Sequence, residues 1–202
     1  MHGRFLLKPS PELNQLILGI IGRALSLYKI NIYLFVALSN HMHWLLSAPD
    51  TSELARFMNH VNGNIAREVA KLYLWHDHVW GRRYTAIPIL DDESIIGRAR
   101  YILSNGCKEG LVVSPYDWPG VNCIEALITG NPISCVWVSR TKESARLSRM
   151  NLSNNGKTVS DEADSALKYE IRLSPLPPWA DLPQQTQQNL WIQMIAEIEE
   201  AT

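Results

Sequence analysis

Residues 31–47 constrain the fold more than any other stretch. Asn-Ile-Tyr-Leu-Phe-Val-Ala-Leu over 31–38 is rich in β-branched and aromatic types, Ser39-Asn40 supplies turn chemistry, and a second β-rich run follows from about His41 to Ser47. A hairpin is the simplest fold for this pattern. Side-chain direction along a strand repeats every two residues, so His41 and His43 project from the same side. Together they can hold one metal ion. For the triplet taken alone, two histidines satisfied by hydrogen bonds are the plainer explanation.

Helical patterns flank the hairpin. Ser10-Pro11-Glu12 is a start signal, with Ser10 as cap and Pro11 at the first helical position. Leu13, Leu16, Ile17, Ile20, Ile21, Ala24 and Leu25 then recur at the spacing of a buried stripe, to about Tyr28. After a loop at 49–53, a second helix capped at Thr51 or Ser52 is expected. Its apolar face is Leu54, Phe57, Met58, Val61, Ile65, Val69 and Leu72; Arg56, Asn59, Asn62, Asn64, Arg67 and Lys71 take the other side. That polar face suits phosphate and base-edge contacts, and it suits water too.

Residues 75–81 read as a loop and 83–90 as a strand. Asp91 and Asp92 can cap a third helix, which passes through Tyr101 and ends at Asn105-Gly106, glycine being suited to the left-handed position that closes helices. Tyr101 and Asn105 then lie one turn apart on a single face. Pro115, Pro119 and Gly120 break the chain, and a short helix is expected at about 122–128. Beyond Gly130 the pattern predicts a helix at 139–151, a linker at 152–159 and a last amphipathic helix from about Pro183.

The 202 residues can bury a sizeable core. The apolar run 13–28 is too short and too polar to span a bilayer, and no signal peptide is recognisable, so a cytoplasmic, non-membrane protein is expected. Cys107, Cys123 and Cys135 are odd in number and far apart, which fits reduced structural thiols and not a zinc ribbon. The formal net charge of −1 argues against nucleic acid, but its distribution argues for it. Arg56, Arg67, Lys71, Arg82, Arg83, Arg98, Arg100 and Lys108 surround the two central motifs, with Arg140, Lys142, Arg146 and Arg149 after them. Acidic residues gather late, at Asp161, Glu162, Asp164, Glu197, Glu199 and Glu200. Solvated faces are the plain explanation of such charges.

Two imidazoles and an amide oxygen leave coordination positions open, as a metal that also holds substrate requires. A hard divalent ion, Mg²⁺ or Mn²⁺, would polarise a phosphate oxygen and let a tyrosine attack in line, leaving a phosphotyrosine ester and a free sugar hydroxyl. His76 and His78 form a second, weaker pair in a loop. Asp91, Asp92 and Glu93 are most simply a favourable interaction with a helix dipole.

His41-Met42-His43 resembles the HUH motif of single-tyrosine transposases of the insertion-sequence type, and the wider match resembles their REP-associated tyrosine transposase branch. The matching segments, in the family's order, are Leu38 through Leu46; Phe57-Met58 through Asn64-Ile65-Ala66-Arg67-Glu68; Val79-Trp80-Gly81-Arg82-Arg83-Tyr84; Arg100 through Gly106; and Lys108-Glu109-Gly110-Leu111-Val112. The resemblance covers roughly residues 3–130 and implies an α+β fold, ferredoxin-like or RRM-like: an antiparallel sheet with helices on one face. It implies Tyr101 as nucleophile toward a 5′-phosphate, with His41, His43 and Asn105 as metal ligands. The substrates it implies are single-stranded DNA with palindromic hairpins. Arg56, Asn62, Arg67, Arg82 and Arg83 become candidates for holding DNA.

Two departures stand out. Family members begin with a strand before the segment matching Arg4-Phe5-Leu6-Leu7, so an inner strand is expected to be missing and a sheet edge unpaired. Asn105-Gly106-Cys107 replaces the Asn-Pro-Val that often follows the tyrosine. The expected organisation is a catalytic domain over 1–130 and a helical extension over 131–202, with monomer and homodimer both open. Two other readings remain: a DNA-hairpin-binding protein that no longer cuts, and a metal hydrolase that activates water without Tyr101.

Overall fold

The computed structural model describes residues 5–138 and 166–202. The helix and linker expected at 139–151 and 152–159 lie outside the described residues, as do Arg140, Lys142, Arg146, Arg149, Asp161, Glu162 and Asp164. In chain order the elements are α1 (Pro11–Leu27), β1 (Asn31–Ala37), β2 (Met42–Ser47), α2 (Thr51–Leu72), α3 (Asp92–Leu103), α4 (Asn105–Lys108), α5 (Ile124–Thr129), β3 (Ile133–Val138), β4 (Ala166–Ile171) and α6 (Gln184–Glu200). The fold is α+β, with two separate two-stranded antiparallel sheets, β1–β2 and β3–β4.

Ser10 caps α1, its hydroxyl accepting from the Leu13 N–H at 3.1 Å, and Leu13, Ile17, Ile20, Ile21 and Ala24 are buried as the spacing predicts. For α2 the cap is Asp50, not Thr51 or Ser52: its carboxylate accepts from the Glu53 N–H at 2.8 Å. A carboxylate at that position also meets the positive end of the helix dipole. The apolar face of α2 is buried as read, through Phe57, Met58, Val61, Ile65 and Val69.

The β1–β2 hairpin pairs Phe35 with Trp44 and Val36 with His43, with an irregularity between Ile32 and Leu34. Neighbouring residues on a strand point to opposite faces. Trp44 meets Phe57 of α2, ring centroids 6.0 Å apart, whereas His43 meets Tyr101 of α3 at 5.7 Å. Helices therefore cover both faces of this sheet, which corrects the expectation of one face.

Among the described residues β2 has no strand partner beyond β1. The other edge of β1 is occupied. The Ala37 N–H donates to Val121 O at 2.8 Å, the indole of Trp118 donates to Ala37 O at 2.9 Å, and Ser174 N–H donates to Ile32 O at 2.7 Å. The Cys123 thiol serves both backbone groups of Phe35, accepting from its N–H at 3.3 Å and donating to its carbonyl at 3.4 Å.

Residues 83–90 form no strand. The composition is strand-like, but a strand exists only with a hydrogen-bonded neighbour. Here Pro88 lacks an N–H, and Ile87 and Leu90 stand 64% and 91% exposed. Past residue 130 the described chain adds two strands to the expected helix. The β3–β4 sheet lies directly on α1: a Cβ built on Gly19 would stand 2.1 Å from Val136 O, and one on Gly22 would stand 2.4 Å from Cys135 Sγ. Those two glycines, nearly one turn apart, let the sheet rest on the helix backbone. Ile171, Leu176, Trp179, Trp191 and Ile195 join the same hydrophobic core as α1, β1 and α2, each such fully buried side chain contributing about 1.5–3 kcal/mol.

Candidate active site

Local sequence places each member of the site. The chain turns at Ser39-Asn40, where the Leu38 N–H donates to His41 O at 2.8 Å, and His41 emerges from that turn directly before β2. His43 follows within β2. The two Nε2 atoms stand 2.9 Å apart and the rings meet edge to face, centroids 4.7 Å apart. On the other ring nitrogen of His41, the Asn40 amide oxygen lies 2.6 Å from Nδ1. A carbonyl oxygen can only accept, so Nδ1–H donates and the His41 Nε2 lone pair faces His43.

Burial holds both imidazoles below the usual histidine range. His43 is pushed down to about 4, first by desolvation and then by the proximity of His41 and Arg98. His41 is also lowered, chiefly by desolvation, with Glu109 opposing. Neutral imidazoles keep the lone pairs that a cation needs. Two Nε2 atoms at this separation match neighbouring ligands on one ion with bonds of about 2.1 Å.

The tyrosine comes from the helix laid over that face. Asp91 caps α3, accepting from the Ser94 N–H at 2.8 Å and the Ser94 hydroxyl at 2.7 Å, and Ala99, Ile102 and Leu103 bury its inner side. Tyr101 stays on the outer side, 39% exposed. The helical path breaks at Ser104 and resumes as α4, which contains Gly106; the expected stop there does not occur. The left-handed glycine is Gly110, at φ 64°. Asn105 is buried, and its amide N–H donates to the Tyr101 carbonyl at 3.0 Å. Its amide oxygen takes no hydrogen bond among the described residues, which leaves an acceptor beside the tyrosine's turn.

Two cations over the Tyr101 ring are site features that the motif reading did not select. The Arg98 guanidinium carbon lies 5.4 Å from the ring centroid and the Lys108 ammonium 4.9 Å. Helical spacing was the available signal, since residues three before and seven after Tyr101 share its face. Asn40, adjacent to His41, is the third such residue.

The five residues nominated for DNA make their contacts elsewhere. Arg56 pairs with Glu53 at the start of α2, and Arg67 donates to the Asn64 amide oxygen at 2.9 Å. The Asn62 carbonyl accepts from the Trp80 indole at 2.7 Å, which pins the loop after α2 onto that helix. Arg83 stacks over Tyr84 at 5.3 Å, and Arg82 is exposed. His76 and His78 are exposed, and no group of three or more His, Cys, Asp or Glu side chains poised for a metal occurs among the described residues.

The family model for IS200-like transposases matches residues 9–105. Over these residues the chain is similar to the IS200-like transposases. The matched segment runs from α1 to the first residue of α4, so His41, His43, Tyr101 and Asn105 all fall inside it. The match supports a transposase role for the chain, in DNA transposition and recombination. Neither a curated protein nor a solved structure matches it. No described helix is long and apolar enough to cross a membrane.

Proposed function

We propose that this chain cuts and rejoins single-stranded DNA at hairpin-bearing sites, as the REP-associated branch does, with Tyr101 as the nucleophile. One observation carries the reading: a tyrosine with 39% exposure stands edge to face with His43, 5.7 Å between centroids, beside two neutral imidazoles whose Nε2 atoms are 2.9 Å apart. His41 Nε2, His43 Nε2 and the Asn105 amide oxygen would hold a divalent ion, Mg²⁺ or Mn²⁺. Bound there, such an ion supplies positive charge that draws electron density off a phosphate oxygen.

The chain's own residues supply nucleophile and position. Tyr101 Oη forms a bond to phosphorus as the bond from phosphorus to the 3′ oxygen breaks; the phenol proton passes to water, and the departing oxygen takes one up as a 3′ hydroxyl. The 5′ phosphate stays on the protein as a tyrosine ester. Attack by another 3′ hydroxyl reverses the step and joins the strands. Asn105 ties the turn after Tyr101 to the tyrosine's own carbonyl, and Asn40 orients the His41 ring.

The experiment is a denaturing gel of the full chain with labelled single strands carrying imperfect palindromes, with and without Mn²⁺. A metal-dependent covalent adduct that disappears in Tyr101→Phe is expected. Binding without any adduct would support the silent hairpin-binding protein instead, and metal-dependent cleavage that survives Tyr101→Phe would support hydrolysis by activated water.

A further inference from the structure

Arg98 and Lys108 stand out among the charged side chains of this molecule. Arg100, two residues after Arg98, is paired with Glu197 of α6 at 2.5 Å, Arg56 with Glu53, and Arg172 with Glu170 at 2.6 Å. Neither Arg98 nor Lys108 has a carboxylate within ion-pair distance among the described residues. Both are exposed, and both lie within 5.4 Å of the same ring centroid. Two like charges gathered around one aromatic ring repel each other, and a bound anion would offset that repulsion.

Their placement follows from the backbone. Arg98 is one turn before Tyr101 on α3. Lys108 belongs to α4, and long helical side chains lean toward the N-terminus, so its ammonium reaches back over the break at Ser104 to the ring. The two groups also differ usefully: a guanidinium is a planar fork that matches two phosphate oxygens, and an ammonium is a mobile point charge.

We infer that Arg98 and Lys108 form a phosphate clamp around Tyr101, each holding a phosphodiester of single-stranded DNA at or next to the one the phenol attacks. This assignment rests on the proposed reaction at Tyr101. It places the DNA backbone across the outer faces of α3 and α4, away from Arg56 at the start of α2.

The test is equilibrium binding of a fluorescently labelled single strand to the full chain in EDTA, across a salt series, so that no cleavage intervenes. Each phosphate contact to a single strand contributes about 0.7 to the slope of log affinity against log salt. Arg98→Gln and Lys108→Gln should each reduce that slope by about 0.7 and weaken low-salt binding roughly tenfold, the double variant about twice as much in slope. Arg98→Lys should keep the slope, and Arg100→Gln should leave slope and affinity unchanged. A double variant that binds with the parent's slope and affinity overturns the clamp while leaving the reaction at Tyr101 standing. A parent chain that binds no single strand overturns both. Circular dichroism of each variant separates lost contacts from lost folding.

Discussion

His41 Nε2 and His43 Nε2 lie 2.9 Å apart with one proton between them, and Asn40 fixes which ring supplies the lone pair. The pair is neutral; His43 would have to move its proton to Nδ1 to offer Nε2 to a cation, and the energetics of the pair can be read from pH. In the folded chain His43 titrates at about 4, well below the 6.5 of an unperturbed histidine. Between those values the unfolded state binds more protons than the folded one, so unfolding free energy rises with pH through the window and levels off above it. His41, also lowered, acts in the same direction. Urea midpoints of the metal-free chain should climb from pH 4.5 to 6.5, and His43→Gln should flatten part of that climb. A variant with the parent's full slope would refute the assignment.

Metal affinity should depend on a residue that never touches the ion. Partners on the far nitrogen of a ligating histidine typically carry a factor of about 10–100 in affinity. Isothermal titration with Mn²⁺ should therefore show Asn40→Ala weaker by about that factor, with folding intact because Asn40 lies on the surface turn. His41→Ala and His43→Ala should lose more. Equal affinity in Asn40→Ala would mean that His41 does not bind through Nε2.

Two identical substitutions should have opposite signs. Gly63, inside α2, has nothing within 4 Å of a built Cβ, so Gly63→Ala should gain about 0.5–1 kcal/mol from helix propensity. Gly19→Ala would bring its Cβ to 2.1 Å from the backbone of β3 and should cost about 1–3 kcal/mol. Denaturant titration of the two variants checks the pair; a Gly19→Ala chain as stable as its parent would mean that β3 can lift off α1.

The thiols should be silent in the folded chain. Cys107, Cys123 and Cys135 are free and buried, and desolvation pushes Cys123 up to about 12 and Cys135 to about 11. At pH 8 a disulfide reagent should titrate none of them rapidly in native buffer and all three in denaturant. Rapid native reaction at Cys123 would show that the edge of β1 opens.

What could be read from the sequence was local in cause. Ser10 and Asp91 cap helices because their side chains reach a backbone N–H three residues on, and His41 and His43 share a face because strand geometry repeats every two residues. Cys123 was legible as a structural thiol but not as the group that serves both backbone atoms of Phe35, a contact 88 positions distant. Tertiary structure alone decided what depends on a partner. Residues 83–90 carry a strand's composition and remain unpaired, while Ile133–Val138 and Ala166–Ile171, far apart in the chain, find each other over Gly19 and Gly22. The site divides the same way. His41, His43, Tyr101 and Asn105 are visible as spacing within two short segments. The meeting of His43 with Tyr101 required the hairpin to pack under α3, and the gathering of Arg98 and Lys108 over Tyr101 required the helix to break at Ser104 and continue.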